Sequence, residues 1–263
     1  NVNEARALIE KIPAVKELLR RVSGTSEFVD GITRYCLWLD DANLPFARSV
    51  PEISSRIDNV LEYRRGGGEV ASTLTGRPHQ FRYRNTCKHA QILVPQVSSE
   101  KREYLPVGLL SADVIITHLA HAIYDPTLVD FSILVSKLHL AWVATICGKL
   151  ETRIRYSSNL GWNTFPVSPL TEKNKADLTR CAEDILLARE AHFPATVAEL
   201  YDPDNMPADL REAHERNDEV LERIYIGRRF KNDTERLEKL FELYTKMTAA
   251  QGATKKCTAG ASA

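Results

Sequence analysis

Gln91-Ile92-Leu93-Val94-Pro95-Gln96-Val97-Ser98-Ser99-Glu100-Lys101-Arg102-Glu103-Tyr104-Leu105-Pro106-Val107-Gly108-Leu109 decides how the chain is read. Two apolar runs rich in β-forming side chains, 91–97 and 104–109, flank a polar, charged segment. That pattern predicts two strands joined by an exposed loop. Working outward, further short runs at 79–84 and 114–124 are divided from these by Pro, Gly and Ser, so the region from 79 to about 125 reads as sheet. A long apolar run at 127–147 predicts a helix packed across that sheet, and 153–156 reads as one more strand.

On the N-terminal side, Asn3 caps a predicted helix over 4–12. Pro13 then opens a second, with Val15, Leu18, Leu19 and Val22 at helical spacing before Gly24. Residues 34–39 gather β-formers into a buried strand that ends at Asp40-Asp41. At 51–65, Ile53, Ile57, Val60 and Leu61 share one helical face, and Gly66-Gly67-Gly68 stops the helix. The C-terminal side is helical: 171–191 with Thr171 as cap, 208–225, and 234–248, with Pro203 and Pro207 breaking helix between the first two. The expectation is an α+β fold: a mixed or antiparallel sheet region with packed helices over 1–160, an all-helical region over 161–248 and an unstructured tail at 249–263. Asn163 to Pro169, with two prolines, marks the boundary.

The 263 residues are 43% hydrophobic and 27% charged, which suits a packed protein rather than a disordered one. The apolar stretch from Ile133 to Cys147 is interrupted by Lys137 and His139, and none approaches the roughly 20 apolar residues that span a bilayer. No membrane partner is expected. Five scattered cysteines without a CxxC pair give no disulfide framework and suit a reducing cytoplasm. The first residue is Asn1 rather than Met, which reads as an excised fragment.

Several catalytic signatures are missing: GxSxG, GxxxxGK[ST], HExxH and paired CxxC. Gly66-Gly67-Gly68 follows a helix rather than a strand, so it reads as a linker and not as a phosphate-cradling loop. His118 and His121, with Cys87 and His89 upstream, do not suggest a metal, because residues three apart on a strand face opposite sides. No metal, cofactor or catalytic group is expected in these residues.

Charge is distributed unevenly: residues 1–160 carry 20 Lys+Arg against 17 Asp+Glu, and 161–263 carry 15 against 18. Within 77–102, Arg77, Arg82, Arg84, Lys88, Lys101 and Arg102 meet one acid, Glu100, for a net charge of +5. Arg82 and Arg84 alternate with Phe81 and Tyr83, so on a strand both cations share a face that suits a phosphate backbone as well as it suits plain solvent. The loop Ser98, Ser99, Glu100, Lys101, Arg102 to Tyr104 offers hydroxyls for phosphates. A Glu there suits cytosine N4, and an Arg suits guanine O6 and N7. A second basic group, Lys149, Arg153, Arg155 and Tyr156, is placed to hold the DNA backbone or, equally, to decorate a helix end. The candidate contacts to double-stranded DNA are therefore Arg82, Arg84, Lys88, Ser98, Ser99, Glu100, Lys101, Arg102, Tyr104, Arg153, Arg155 and Tyr156.

The strings Arg34-Tyr35-Cys36-Leu37-Trp38-Leu39, Val94 to Gly108, Arg155-Tyr156-Ser157, Asn163-Thr164-Phe165-Pro166 and Leu200-Tyr201-Asp202-Pro203 resemble, in order over about 1–248, the MmeI-like restriction-modification enzymes of bacteria. The resemblance implies a target recognition domain up to about 160 and a helical C-terminal domain beyond it. It further implies an upstream S-adenosylmethionine-dependent adenine methyltransferase domain in the same chain, fused in that family to a nuclease. The family's Asn-Pro-Pro-Tyr motif and glycine-rich cofactor loop do not occur here, so the cofactor would belong to the parent enzyme and not to this fragment. Val167-Ser168 departs from the aromatic and proline expected after Phe165-Pro166. Two other readings fit the residues alone: a free-standing DNA-binding regulator, and a protein-interaction scaffold built on the C-terminal helices.

Overall fold

Pairing partners, more than local propensity, decide the first half of the chain. The computed structural model describes residues 2–260, and the side chains of 2–249. After α1 (Val2–Lys11), Pro13–Leu18 forms a 3-10 turn and Leu19–Ser23 the strand β1, where helical spacing predicted one helix. The spacing of Leu18, Leu19 and Val22 suits either form. β1 is strand because it is claimed on both sides: β2 (Arg34–Leu37) runs antiparallel to it, with Leu19 opposite Leu37, and β6 (Ile115–Ile116) runs parallel. β2 lies at the sheet edge with its side chains half to fully exposed, and so is not the buried strand expected over 34–39. The short helix α2 (Thr25–Val29) separates β1 from β2.

Helices α3 (Leu44–Ser49) and α4 (Pro51–Arg65) follow, and α4 has the bounds read from the sequence, with Pro at its first turn and Gly66 at its end. Ile53 and Ile57 of α4 close a small core with Val15, Leu18, Leu39, Ala47 and Val50. After α5 (Glu69–Ser72), residues 79–84 form no strand, a correction of the expected β-run. Arg64 instead donates to the carbonyls of Leu74, Arg77 and Gln80 at 2.7–3.0 Å, and such side-chain clamping takes the place of a ladder.

The central sheet is antiparallel, in the order β5 (Gly108–Ser111), β3 (Ala90–Pro95), β7 (Ala120–Tyr124). Thus of the expected strand over 104–109, residues 104–107 are loop and only Gly108 and Leu109 lie in β5. The expected 21-residue helix at 127–147 is two, α6 (Leu128–Leu134) and α7 (Lys137–Ile146), bent by 60°. Ser136 makes the break by accepting the backbone N–H of His139 as a new N-cap. A third small sheet joins β4 (Val97–Ser98), β9 (Arg153–Arg155) and β8 (Gly148–Leu150).

Helices α8 (Ser158–Gly161), α9 (Glu172–Ala191), α10 (Val197–Leu200), α11 (Ala208–Ile226) and α12 (Asp233–Gly260) complete the chain. Thr171 caps α9 as read, and α11 ends at Gly227, whose φ of 78° is the left-handed turn glycine adopts at little cost. In place of the unstructured tail expected over 249–263, α12 carries helix through Gly260, and 261–263 lie outside the described residues. One large core runs from Ile92 on β3 through Phe131, Trp142 and Phe165 to Leu178, Leu210 and Leu240, so the sheet region and the C-terminal helices bury apolar surface against each other. No single helix among the described residues is long and apolar enough to cross a membrane.

Candidate nucleic-acid interface

β4 begins one residue after β3 ends, and it is caught by β9: Val97 pairs with Arg155 and Ser98 with Ile154. β8 and β9 form a hairpin closed by Glu151 and Thr152, with Leu150 opposite Arg153. Glu151 sits at φ 58°, a region uncommon for a residue with a Cβ. This geometry sets the polar loop after β4 beside the tip of the β8–β9 hairpin. The carboxylate of Glu100 accepts the Thr152 hydroxyl at 2.9 Å and ties the two together. Lys101, Arg102 and Lys149, picked out separately in the sequence, are thereby brought to one cleft, while Arg153 and Arg155 flank the inward-facing Ile154 and stand on the outer side of β9, Arg153 within electrostatic reach of Glu100.

This cleft of about 400 Å³ is lined by Glu100 to Glu103, by Lys137, Leu140, Ala141 and Ala144 of α7, and by Lys149, Thr152 and Ile154 of the hairpin, with Asp233 at the edge. Glu100 and Lys101 are exposed, as are Lys149, Arg153 and Arg155. Arg153 pairs with Glu151 at 2.8 Å in solvent, a contact that competes weakly with any other anion. A hydrogen bond from its own backbone N–H, then one from the Thr152 hydroxyl, holds the Glu100 carboxyl below the usual range, so it is ionised at neutral pH. Ser99 shapes the turn, accepting the backbone N–H of Lys101 at 3.2 Å.

Three of the anticipated contacts point inward. Ser98 is buried with its hydroxyl unpartnered, so it faces the protein rather than a phosphate. Tyr104 is 1% exposed; its hydroxyl donates to Asp218 at 3.0 Å and its ring stacks on His214 at 4.1 Å. Tyr156 is also buried, donating its backbone N–H to the Gln96 carbonyl at 2.8 Å and meeting His139 Nε2 with its hydroxyl at 3.2 Å. Arg102 is half-buried: desolvation lowers its pKa, while Asp30 and Asp202 pull it back up. Its guanidinium thus sits in the field of two carboxylates. These burials depend on partners far away in sequence, which no local pattern displays.

The other expected cations stand apart from the cleft. Arg84 lies over the Trp38 ring at 5.2 Å and Arg82 over Tyr83 at 4.9 Å, with Phe81 stacked on Trp38 at 5.7 Å. Neither arginine forms an ion pair with a carboxylate among the described residues. Lys88 is exposed ahead of β3, at the end away from the loop; Asp125 accepts its backbone N–H and that of His89 at 2.9 Å. Lys137 and Thr152 are among the cleft residues that the sequence did not suggest, because Lys137 falls inside the single long helix expected over 127–147 and the two-residue hairpin turn carries no glycine. Among the described residues no group of three or more His, Cys, Asp or Glu side chains is placed to hold a metal ion, and Cys36, Cys87, Cys147 and Cys181 are free thiols.

What these elements define is an α+β module that holds two short loops over a cation-edged cleft and is braced from beneath by helices. Residues 1–169 match the family described as "MmeI, target recognition domain", and residues 170–251 match "MmeI, C-terminal domain". The chain belongs to this family. DNA methyltransferase A of Bacillus subtilis (strain 168) is 38% identical over 252 residues, covering 94% of this chain and 28% of that protein. A solved structure of the type IIL restriction-modification enzyme MmeI in complex with DNA superposes with a TM-score of 0.89 at 32% identity, covering 94% of this chain and 33% of that one. The chain therefore spans about a third of the length of these relatives.

Proposed function

We propose that this chain reads DNA sequence on behalf of a methyltransferase of the restriction-modification type, in a longer protein whose other parts carry the chemistry. The observation that carries the reading is the β4–β9 pairing, which sets the loop bearing the ionised Glu100 with Lys101 and Arg102 beside the hairpin bearing Lys149 and Arg153. Acceptors and donors held together in this way suit base edges, while arginines on open surface suit phosphates. In this reading Glu100, Lys101 and Arg153 read bases from the loop and hairpin tip. Arg155, Lys149, Arg82, Arg84 and Lys88 hold the backbone of duplex DNA. Ser98, Tyr104 and Tyr156 act from within, as supports.

In the same reading the methyltransferase domain lies in the same polypeptide and methylates adenine using S-adenosylmethionine, in the reducing cytoplasm that suits the free thiols. The residues present here do not fit that cofactor: Gly66-Gly67-Gly68 ends α4 and presents no strand–loop–helix cradle. The test is duplex DNA binding by the full-length protein as a function of salt. Six or so basic contacts release counterions and give a log–log slope of about −4 to −6. An affinity that does not change with salt would remove the cationic face from the account.

A further inference from the structure

α11 turns four polar side chains, His214, Asn217, Asp218 and Glu222, into the large core, each 1% exposed or less. Apolar residues of the same size would have packed there without the cost of desolvating charge. Directional bonds do something packing does not: they fix which group stands opposite which. Asp218 has two oxygens and two separate clients. Oδ2 accepts the Tyr104 hydroxyl at 3.0 Å, in the loop that follows Glu100 to Glu103. Oδ1 accepts the backbone N–H of Lys137 at 2.8 Å, the first residue of α7. The loop and α7 are the two facing walls of the cleft.

From this crossing we infer that Asp218 is a positioning residue for base recognition, a single buried carboxylate that sets the spacing and register of the two cleft walls. Neighbouring contacts work in the same direction. Glu103 is ion-paired with Arg211 of α11, and Arg189 of α9 donates to the Val107 carbonyl at 2.6 Å. The loop is thus held by the C-terminal helices along its inward side, while Glu100 and Lys101 face out. A readout group must be held to within about half an ångström for its hydrogen bonds to discriminate. The C-terminal helices therefore contribute to sequence choice without facing the bases, by keeping the loop pre-organised.

This inference rests on the reading of loop and hairpin as the base-reading surface, and the experiment separates the two. In the full-length protein, Tyr104→Phe removes one bond and keeps the ring stack; Asp218→Asn changes both bonds. Discrimination is measured as the ratio of affinities for the recognised duplex and for duplexes with one base pair changed. Each variant is expected to lower that ratio about tenfold, within the range of one base contact. Affinity for non-specific duplex and its salt slope should stay put. The double variant should lose no more than the larger single loss, because the bond removed by Tyr104→Phe is one of the two that Asp218→Asn already changes. A purely structural role would lower the melting temperature and the active fraction while leaving the ratio intact, and that outcome in Tyr104→Phe overturns the inference whether or not Asp218→Asn folds. Glu100→Ala and Arg153→Ala serve as controls. If they change base choice and Tyr104→Phe does not, only the positioning role falls; if they too leave it unchanged, the base-reading surface itself is wrong and the inference falls with it.

Discussion

Replacing His139 by Gln should flatten the acid limb of the protein's stability curve. His139 is fully buried on α7, with rings of Trp162 and Phe165 at 6.0 and 5.0 Å and the Tyr156 hydroxyl at 3.2 Å from its Nε2. Burial alone pushes its pKa from 6.5 down to about 3, so the folded protein holds the ring neutral while the unfolded chain protonates it. A depressed pKa gives stability that is present above the unfolded value and lost as pH falls toward the folded one. At 1.36 kcal/mol per unit, the loss from pH 6.5 to pH 3 amounts to about 5 kcal/mol as an upper figure. His214, buried and lowered in the same direction chiefly by desolvation, adds to that limb, and Asp218 opposes it. Gln does not titrate and still offers Tyr156 a hydrogen-bond partner, so the substitution removes the proton linkage before it removes the contact. Urea unfolding at pH 7.5, 6, 5 and 4 should show wild type and His139→Gln converging as pH falls. Two parallel curves would refute the reasoning, because they would mean that His139 takes up its proton as readily in the folded protein as in the unfolded chain.

Three further outcomes follow from other parts of the molecule. Glu222→Ala removes the buried partner of Arg236, which is 9% exposed and keeps only the exposed Asp233 at 2.7 Å, and leaves the backbone N–H of Phe230 without its acceptor; equilibrium unfolding should show a loss of about 3 kcal/mol. Asp218→Ala should destabilise most near pH 4 and about 3 kcal/mol less above pH 7, because burial raises the Asp218 pKa to about 6 and the wild-type benefit from this group is lost as pH rises through that value. Arg82→Ala with Arg84→Ala should weaken binding to all duplexes alike and reduce the salt slope by about 2, measured by fluorescence anisotropy across a salt series.

Elements whose own residues settle their form were legible in the sequence. α4 is bounded by Pro51 and Gly66 and striped with Ile53 and Ile57, and α9 announces its cap at Thr171. Where two forms share one pattern, the neighbours decide. β1 looked helical until β2 and β6 claimed its backbone, and 79–84 looked like strand until Arg64 took up nearby carbonyls. The same contrast holds at the site. The charged loop from Ser99 to Arg102 stands out by composition, and the family strings give the fold its context. The burial of Tyr104 was invisible, because its partner Asp218 lies 114 residues away. The pairing of loop with hairpin was equally hidden, since Thr152 and Glu100 meet only after β4 and β9 have formed.

The central claim is that base choice resides where the loop meets the hairpin tip, and sequencing the sites methylated by the full-length protein in cells tests it most directly. With Glu100→Ala or Arg153→Ala, the account predicts relaxed selection at one position of the recognised sequence, by about 1–3 kcal/mol, with the other positions unchanged. A recognised sequence identical to wild type in both variants, with only a uniform fall in methylation, would contradict it.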